Sequence, residues 1–316
     1  MNDPLDLPFV PAATMRAALP LGRAVAVIEE ALRGDVDPER DSPRLFSPAP
    51  GGEFLIMPGA HRRYAGVKVA TVAPRNPARG LAKIQAVYLL FDADTLAPLA
   101  AMDGTELTAL RTPATTLAAV KNIAAAPGSG TPKDPYVLVL GAGVQALNHV
   151  RAARAVFPRA RFAVVGKRPA RVDALVAALA AEGIEVARGD LARDVPAADV
   201  IVCVTSSPAP LFDGALPADH AIVAAVGQHG LDAREVDATL VHRADVVVEG
   251  RESSWREAGD LVPARSVAEW RTIAPPNLKD LIQGRFTRTP GRPTLYTGVG
   301  MAWEDIVVAA AVYEGR

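Results

Sequence analysis

Three cations stand among apolar or small neighbours: Arg44 in Ser42-Pro43-Arg44-Leu45, Lys68 in Gly66-Val67-Lys68-Val69-Ala70, and Arg111 just before Thr112-Pro113. Groups of this kind hold an anionic substrate through charge-assisted hydrogen bonds. Lys68 is the most telling, because a lysine between two valines on a strand must face either solvent or a polar pocket. Sequence alone leaves both open. The first part of the chain has no His, Cys or acid cluster with metal-ligand spacing and no Gly-x-Ser-x-Gly elbow, so no metal ion and no acyl chemistry are expected. Hydride transfer needs neither.

A second chemical signal begins at Tyr136. The apolar run Tyr136 to Leu140 leads into Gly141-Ala142-Gly143-Val144-Gln145-Ala146, the strand–GxGxxA–helix order that brings a pyrophosphate to the amides of a helix N-terminus. Gly141 allows the tight turn, Gly143 leaves room for phosphate, and Ala146 lets helix and strand pack; Val144 and Gln145 supply first-turn amides. A packing turn that binds nothing is the alternative, and the βα pattern that follows argues against it. The next strand ends Val165-Gly166-Lys167-Arg168, where a fold specific for NAD carries an acid for the ribose hydroxyls. Lys167 and Arg168 suit a 2′-phosphate instead, so NADP(H) is preferred over NAD(H), unless the pair is only a solvated turn. Thr205, Ser206 and Ser207, and then Val226 and Gly227, follow later strands at the carboxyl ends where ligands bind in parallel sheets.

The elements that position these residues read as two kinds of segment. Up to about Asn122 the chain is α+β: a helix over Leu21 to Arg33, then strands over Phe54 to Met57, Ala65 to Val72, Ile84 to Phe91 and Pro98 to Met102. The last two pair through a turn at Asp92 to Thr95. A helix opens after Asp103 and a second one starts at Thr112-Pro113, placing Arg111 at their junction. Pro127 to Pro132 reads as a linker. Six strands then alternate with helices: Tyr136 to Leu140, Arg161 to Val165, Glu185 to Ala187, Val200 to Val204, Ala221 to Ala225 and Asp245 to Val248. Thr294 to Thr297 and an apolar helix from Ala302 follow, and that helix is expected to return to the first domain. The fold class is α/β, a Rossmann-type doubly wound parallel sheet plus an α+β substrate and dimerisation domain. The boundaries are 1–122 with 298–316 for the latter and 123–297 for the former.

Bulk composition agrees. With 34 basic against 35 acidic residues in 316, the chain lacks the positive field that nucleic-acid binding uses. The single Cys203 rules out an intrachain disulfide framework and suits a reducing compartment. No apolar run approaches the roughly 20 residues of a membrane span, and the N-terminus has no signal-peptide order, so a cytoplasmic protein is expected.

The run Leu55 to Gly59, Gly66 to Thr71, Asn76 to Gly80, Tyr88 to Asp92 and Leu107 to Thr112 closely resembles the ornithine cyclodeaminase/mu-crystallin family. Gly141 to Ala146, Val202 to Ser207, Ala225 to Gly227, Glu257 to Leu261 and Gly298 to Met301 continue the match in family order. The resemblance implies a homodimer whose first domain supplies the dimer contact and the substrate floor. It further implies that Arg44, Lys68 and Arg111 hold a substrate carboxylate, that Lys68 assists proton transfer, and that Thr112 and Gly300 belong to the cofactor site. The family's cyclodeaminases carry an aspartate after the fifth-strand Ala-Val-Gly and a glutamate before the Met-Pro; here those places hold His229 and Leu55. Ornithine cyclisation is thereby disfavoured. His229 remains either a base, titrating near about pH 6.5, or a surface histidine.

The expected activity is NADPH-dependent reduction of the imine of a small, cyclic or open, imino acid. The competing readings are an ornithine cyclodeaminase releasing ammonia, an amino-acid dehydrogenase like alanine dehydrogenase, and a cofactor-loaded binding protein of mu-crystallin type.

Overall fold

In the first third of the chain, apolar residues alternate with period two and then with period 3.6, and the structure follows that change. The computed structural model describes residues 7–316. Strand β1 (Phe9–Val10), helices α1 (Ala12–Ala18) and α2 (Leu21–Arg33), and strands β2 (Leu45–Ala49), β3 (Gly52–His61), β4 (Tyr64–Val72), β5 (Ile84–Asp92) and β6 (Pro98–Asp103) come first. They lead into helix α3 (Gly104–Ala125). The β5–β6 hairpin turns on Asp92, whose Oδ1 accepts from the amides of Asp94 and Thr95 and from the Thr95 hydroxyl.

The chain then alternates β7 (Tyr136–Leu140), α4 (Val144–Val156), β8 (Arg161–Val165), α5 (Pro169–Ala181), β9 (Val186–Arg188), α6 (Leu191–Ala197), β10 (Val200–Cys203), β11 (Ile222–Ala225), α7 (Ala238–Arg243) and β12 (Asp245–Val248). Helices α8 (Arg251–Glu257), α9 (Val267–Ile273) and α10 (Leu278–Ile282), strand β13 (Thr294–Thr297) and helix α11 (Ala302–Glu314) complete it. Two compact units result. One runs up to Thr112 and adds Met301–Arg316; the other is Pro113–Gly300.

In the first unit six strands lie in the order β1-β6-β5-β4-β3-β2, antiparallel except for β1 on β6. One face carries Leu55, Met57, Ala70, Tyr88, Leu90, Ala100 and Met102, all buried. Helix α11 packs against β3, β4 and α2. Helix α2 buries Ala24, Val25, Ile28, Ala31 and Leu32, the one-sided spacing of an amphipathic helix. Helix α11 is buried almost all round from Ala302 to Val312, which requires its polar residues Glu304 and Asp305 to find partners inside. The opposite sheet face is also apolar, with Phe54 and Val87 exposed and Ile56, Val67, Val69, Leu89 and Phe91 half-buried.

The second unit is a seven-stranded, wholly parallel sheet in the order β12-β13-β11-β10-β7-β8-β9. Strands β7, β10, β11 and β13 are buried almost throughout, as in a sheet covered by helices on both faces. The chain reverses its direction of winding between β7 and β10, so their carboxyl ends form the switch point at which such sheets take ligands.

Three expectations need correction. The sheet has seven strands rather than six, because Thr294–Thr297 inserts between β11 and β12. Helix α3 runs unbroken through Pro113, so Arg111 lies mid-helix and not at a junction. An internal proline costs roughly 3 kcal/mol; burial of Ala109, Leu110, Ala114, Leu117 and Ala118 on either side of it keeps the helix whole. The segment Pro127 to Pro132 is no free linker. The buried Arg288 holds it, donating to the Ser129 carbonyl (2.7 Å) and to that of Ala221 (3.2 Å), and the change of unit falls at Thr112/Pro113.

Helix α11 begins on an acceptor from far away in sequence: Asp41 takes the amides of Ala302 (2.9 Å) and Trp303 (2.8 Å). Such caps contribute about 0.5–2 kcal/mol. Asp41→Ala should therefore speed hydrogen exchange of the Ala302 and Trp303 amides about tenfold at matched pH, and unchanged exchange there would show that the cap is not what orders this helix start.

Candidate active site

In the first unit β4 presents alternate residues Tyr64, Gly66, Lys68 and Ala70 to the core, so Lys68 faces inward by register. It is 3% exposed. Its Nζ lies 2.9 Å from Asp305 Oδ1 and 2.7 Å from Oδ2. Arg111, from α3, reaches the same place: Nη1 donates to Glu304 Oε2 at 2.9 Å and Nε lies 3.3 Å from Asp305 Oδ1. Two cations and two carboxylates thus share one water-poor site, with the acids on the first turn of α11, where the helix dipole favours negative charge. Glu304 Oε1 also accepts the Met301 amide at 2.8 Å.

Desolvation, joined by repulsion from Arg111, lowers the Lys68 pKa to about 8, although Asp305 and Glu304 pull the other way. Desolvation likewise raises Asp41 to about 6, against its two backbone bonds, with Glu304 and Asp305 adding to the rise. Lys68 is poised to exchange a proton near neutral pH. Arg44 sits half-buried directly before β2, three residues after Asp41. The buried Tyr88 pairs in register with Lys68 on β5, and a Cβ on Gly66 would stand 2.2 Å from its hydroxyl, so only glycine fits beneath the phenol. That hydroxyl and the buried Trp303 indole nitrogen have no hydrogen-bond partner among the described residues. Both are polar atoms left for a ligand or water.

The second unit holds the residues expected to bind nucleotide. Gly141 has φ 135°, and a Cβ there would meet the Val204 carbonyl at 2.7 Å; a Cβ on Gly143 would meet nothing within 4 Å. Helix α4 starts with no side-chain cap and no acid in its first turn, and Val144 is 61% exposed. An open, positively polarised helix start beside a bare glycine fits a pyrophosphate. Gly166 packs on Ala142, where a Cβ would come within 2.9 Å, and this sets the exposed Lys167 and Arg168 beside the glycine turn. No acid follows β8 there. Thr205 and Val226 are half-buried and Ser206 exposed at the ends of β10 and β11, while Gly300 donates to Glu249 Oε2 at 2.8 Å. Thr112 is half-buried on α3 next to Arg111. His229 is exposed on the loop after β11, and Leu55 is buried in the core of the first unit.

Sequence reasoning missed the acids. Glu304 and Asp305 precede the apolar run Ile306 to Val312, and two adjacent carboxylates at the head of a buried helix are the signal that internal cations await them. His149 was missed too: its Nδ1 donates to the Gln145 carbonyl at 2.7 Å, leaving Nε2 to accept from the Thr116 hydroxyl at 3.1 Å. Burial lowers its pKa to about 4, so it stays neutral and braces α4. Among the described residues no group of three His, Cys, Asp or Glu side chains is arranged to hold a metal ion, and no helix is long and apolar enough to cross a membrane.

The family profile described as ornithine cyclodeaminase/mu-crystallin matches residues 13–316. The chain belongs to that family. Among its relatives, Delta(1)-pyrroline-2-carboxylate reductase 2 of Burkholderia ambifaria is 34% identical over 281 residues, covering 89% of this chain and 85% of the relative. The Delta(1)-pyrroline-2-carboxylate/Delta(1)-piperideine-2-carboxylate reductase of Azospirillum brasilense is 33% identical over 302 residues, covering 95% and 93%. The solved Thermococcus litoralis Delta(1)-pyrroline-2-carboxylate reductase, in complex with NADH and L-proline, superposes with a TM-score of 0.84 at 25% identity, covering 98% of this chain and 97% of that one. Within this family fold, the buried cation–carboxylate cluster and the glycine turn are the two places with the chemistry of a site.

Removing one partner of a buried ion pair costs about 3–5 kcal/mol, whereas replacing both by apolar groups is often neutral. Asp305→Leu should therefore destabilise the first unit strongly, and Lys68→Met combined with Asp305→Leu should restore most of the loss in a denaturant titration. A double variant as unstable as Asp305→Leu alone would show that the pair is not coupled as its geometry indicates.

Proposed function

We propose that this protein is an NADPH-preferring reductase of cyclic ketimine acids of the Δ1-pyrroline-2-carboxylate and Δ1-piperideine-2-carboxylate class. The observation that carries the reading is the buried Lys68, held by Asp305 beside Arg111, with its proton loosened toward neutrality. An imine becomes a good hydride acceptor once its nitrogen is protonated, and a lysine with a lowered pKa is a fitting donor. A nicotinamide cofactor held at the glycine turn Gly141 to Ala146 would supply the hydride for the ring carbon. Arg44 and Arg111 hold the carboxylate and orient the ring, Lys68 gives its proton to the nitrogen, and solvent restores it. Asp305 keeps Lys68 in place and stabilises its charged form.

The relatives' substrates support the ring-imine class, and the absence of both cyclodeaminase acids, with His229 and Leu55 in their places, supports reduction over ring closure. His229 then has no obligatory role. Lys167 and Arg168, with no acid near the end of β8, support NADPH over NADH. We assign cofactor binding to the parallel-sheet unit, with Thr112 and Gly300 as further contacts, and substrate holding to the other unit. The apolar outer face of the six-stranded sheet, uncovered in the single chain, supports a homodimer. A cytoplasmic location suits the reduced Cys203.

Purified protein should oxidise NADPH with Δ1-pyrroline-2-carboxylate or Δ1-piperideine-2-carboxylate, and release no ammonia from ornithine. Ammonia from ornithine without net cofactor change would overturn the reductase in favour of a cyclodeaminase. Ammonia-dependent NADPH loss with an open 2-oxo acid would instead identify a dehydrogenase. Since Lys68 must carry its proton, kcat/KM for the imine at saturating NADPH should be level below about pH 8 and fall by about tenfold per unit above it, and Lys68→Met should abolish turnover while NADPH still binds. Lys167→Ala with Arg168→Ala should raise KM for NADPH by roughly tenfold and leave that for NADH unchanged; equal effects on both would remove the 2′-phosphate assignment.

A further inference from the structure

Glu235 lies on the segment after β11, is fully buried, and has no ion pair among the described residues. Its Oε1 accepts the amide of Thr205 at 2.6 Å and the Thr205 hydroxyl at 2.7 Å; its Oε2 accepts the amide of Gly227 at 2.7 Å. One carboxylate therefore joins the segment that follows β10 to the segment that follows β11. The two backbones are already in contact, since a Cβ on Gly227 would come within 2.4 Å of the Thr205 nitrogen and 2.6 Å of Glu235 Oε1. Gln228 adds a second tie, donating to the carbonyls of Thr205 (3.2 Å) and Ser207 (2.9 Å). Glu235 is itself fixed from behind: Asp260 Oδ1 accepts the amides of Glu235 (2.6 Å) and Val236 (3.0 Å).

We propose that Glu235 is a positioning residue for the cofactor, its ionised carboxylate clamping the segments after β10 and β11 in the geometry that receives the dinucleotide. This rests on the reading above of Thr205, Ser206, Val226 and Gly227 as cofactor contacts. The clamp needs the charged form because two of its three partners, the amides of Thr205 and Gly227, can only donate, one to each oxygen. A proton on Oε1 competes with the Thr205 amide and a proton on Oε2 with the Gly227 amide, so either one loosens one end of the clamp.

The surroundings make that protonation accessible. Thr205 faces Glu235 from the end of β10 and Gly227 from the end of β11; the Asp260 carboxylate stands behind it; the buried Cys203 thiol ends β10; and Arg234 precedes it, acting on Asp260. Desolvation raises Glu235 to about 7, with Asp260 adding to the rise, although the three hydrogen bonds oppose it. Dinucleotide affinity is accordingly full above pH 7 and declines as pH falls through that value.

The test is NADPH binding to the whole protein, by fluorescence titration between pH 5.5 and 8.5, for the wild type, Glu235→Gln and Thr205→Val. A hydrogen bond to a charged group corresponds to about a tenfold change or more in affinity. Wild type should weaken by about that factor on acidification beyond what protonation of the 2′-phosphate causes, and Glu235→Gln should bind that much more weakly at pH 8.5 and keep only the phosphate's pH dependence, centred at about pH 6. Thr205→Val removes one stabilising donor, so its midpoint should move above that of the wild type. If the wild type binds NADPH while Glu235→Gln, with an unaltered melting point, keeps the same affinity and pH profile, the clamp is refuted and the cofactor reading stands. If the wild type binds no dinucleotide, the cofactor reading itself fails and the clamp with it. Should Glu235→Gln not fold, a Thr205→Val midpoint identical to that of the wild type refutes the proposal alone.

Discussion

The first unit is organised around an ammonium group that water does not reach. A lysine buried in the middle of a six-stranded sheet is tolerable only if an anion comes to it, and that anion arrives on α11, the last helix of the chain. Much else follows from this. Helix α11 must dock with its first turn directly over β4, its N-terminus must be held at that height by Asp41, and the second acid there must find Arg111. Burial first, and then the nearby charge of Arg111, lower the Lys68 pKa against the pull of Asp305 and Glu304. The same contacts that permit burial thus also set the balance of charge around the ammonium.

The second unit solves a different problem with the same means. Where parallel strands end, the backbone turns irregularly and its amides lose their partners in the sheet. Buried carboxylates take them up: Glu235 for Thr205 and Gly227, Asp260 for Glu235 and Val236, and Glu249 for Val299 (2.9 Å) and Gly300. An ionised carboxylate can accept from several donors at once. Its two oxygens are spaced to tie one segment to the next. The result is a rim at the carboxyl edge of the sheet whose turns are tied to one another by buried carboxylates.

The sheet elements were legible because their signals are local. Tyr136–Leu140, Arg161–Val165 and Asp245–Val248 appear with the bounds their apolar runs suggest, and so does helix Leu21–Arg33 with its one-sided spacing. The glycine turn was legible for the same reason, since its steric demands lie within six residues. What stayed hidden depends on contacts distant in sequence. Pro113 reads as a helix start, whereas here buried neighbours on both sides hold the helix through it. Thr294–Thr297 looks isolated because its partners β11 and β12 lie far back in the chain. Arg111 and Lys68 were legible as cations in want of an anion. Glu304 and Asp305 are legible only as two adjacent acids at the head of an apolar run; which cation each meets is not, since their helix gives no periodic hint of which side meets a charge.

The separation between Lys68 and Asp305, 237 residues along the chain, bears on how the protein comes into being. During synthesis the strands around Lys68 emerge early, and they cannot be completed until the final helix leaves the ribosome. Every contact of the parallel-sheet unit is available before then. The first unit is thus assembled from the two ends of the described chain, whereas all residues of the parallel-sheet unit lie between them, so its contacts can form without either end.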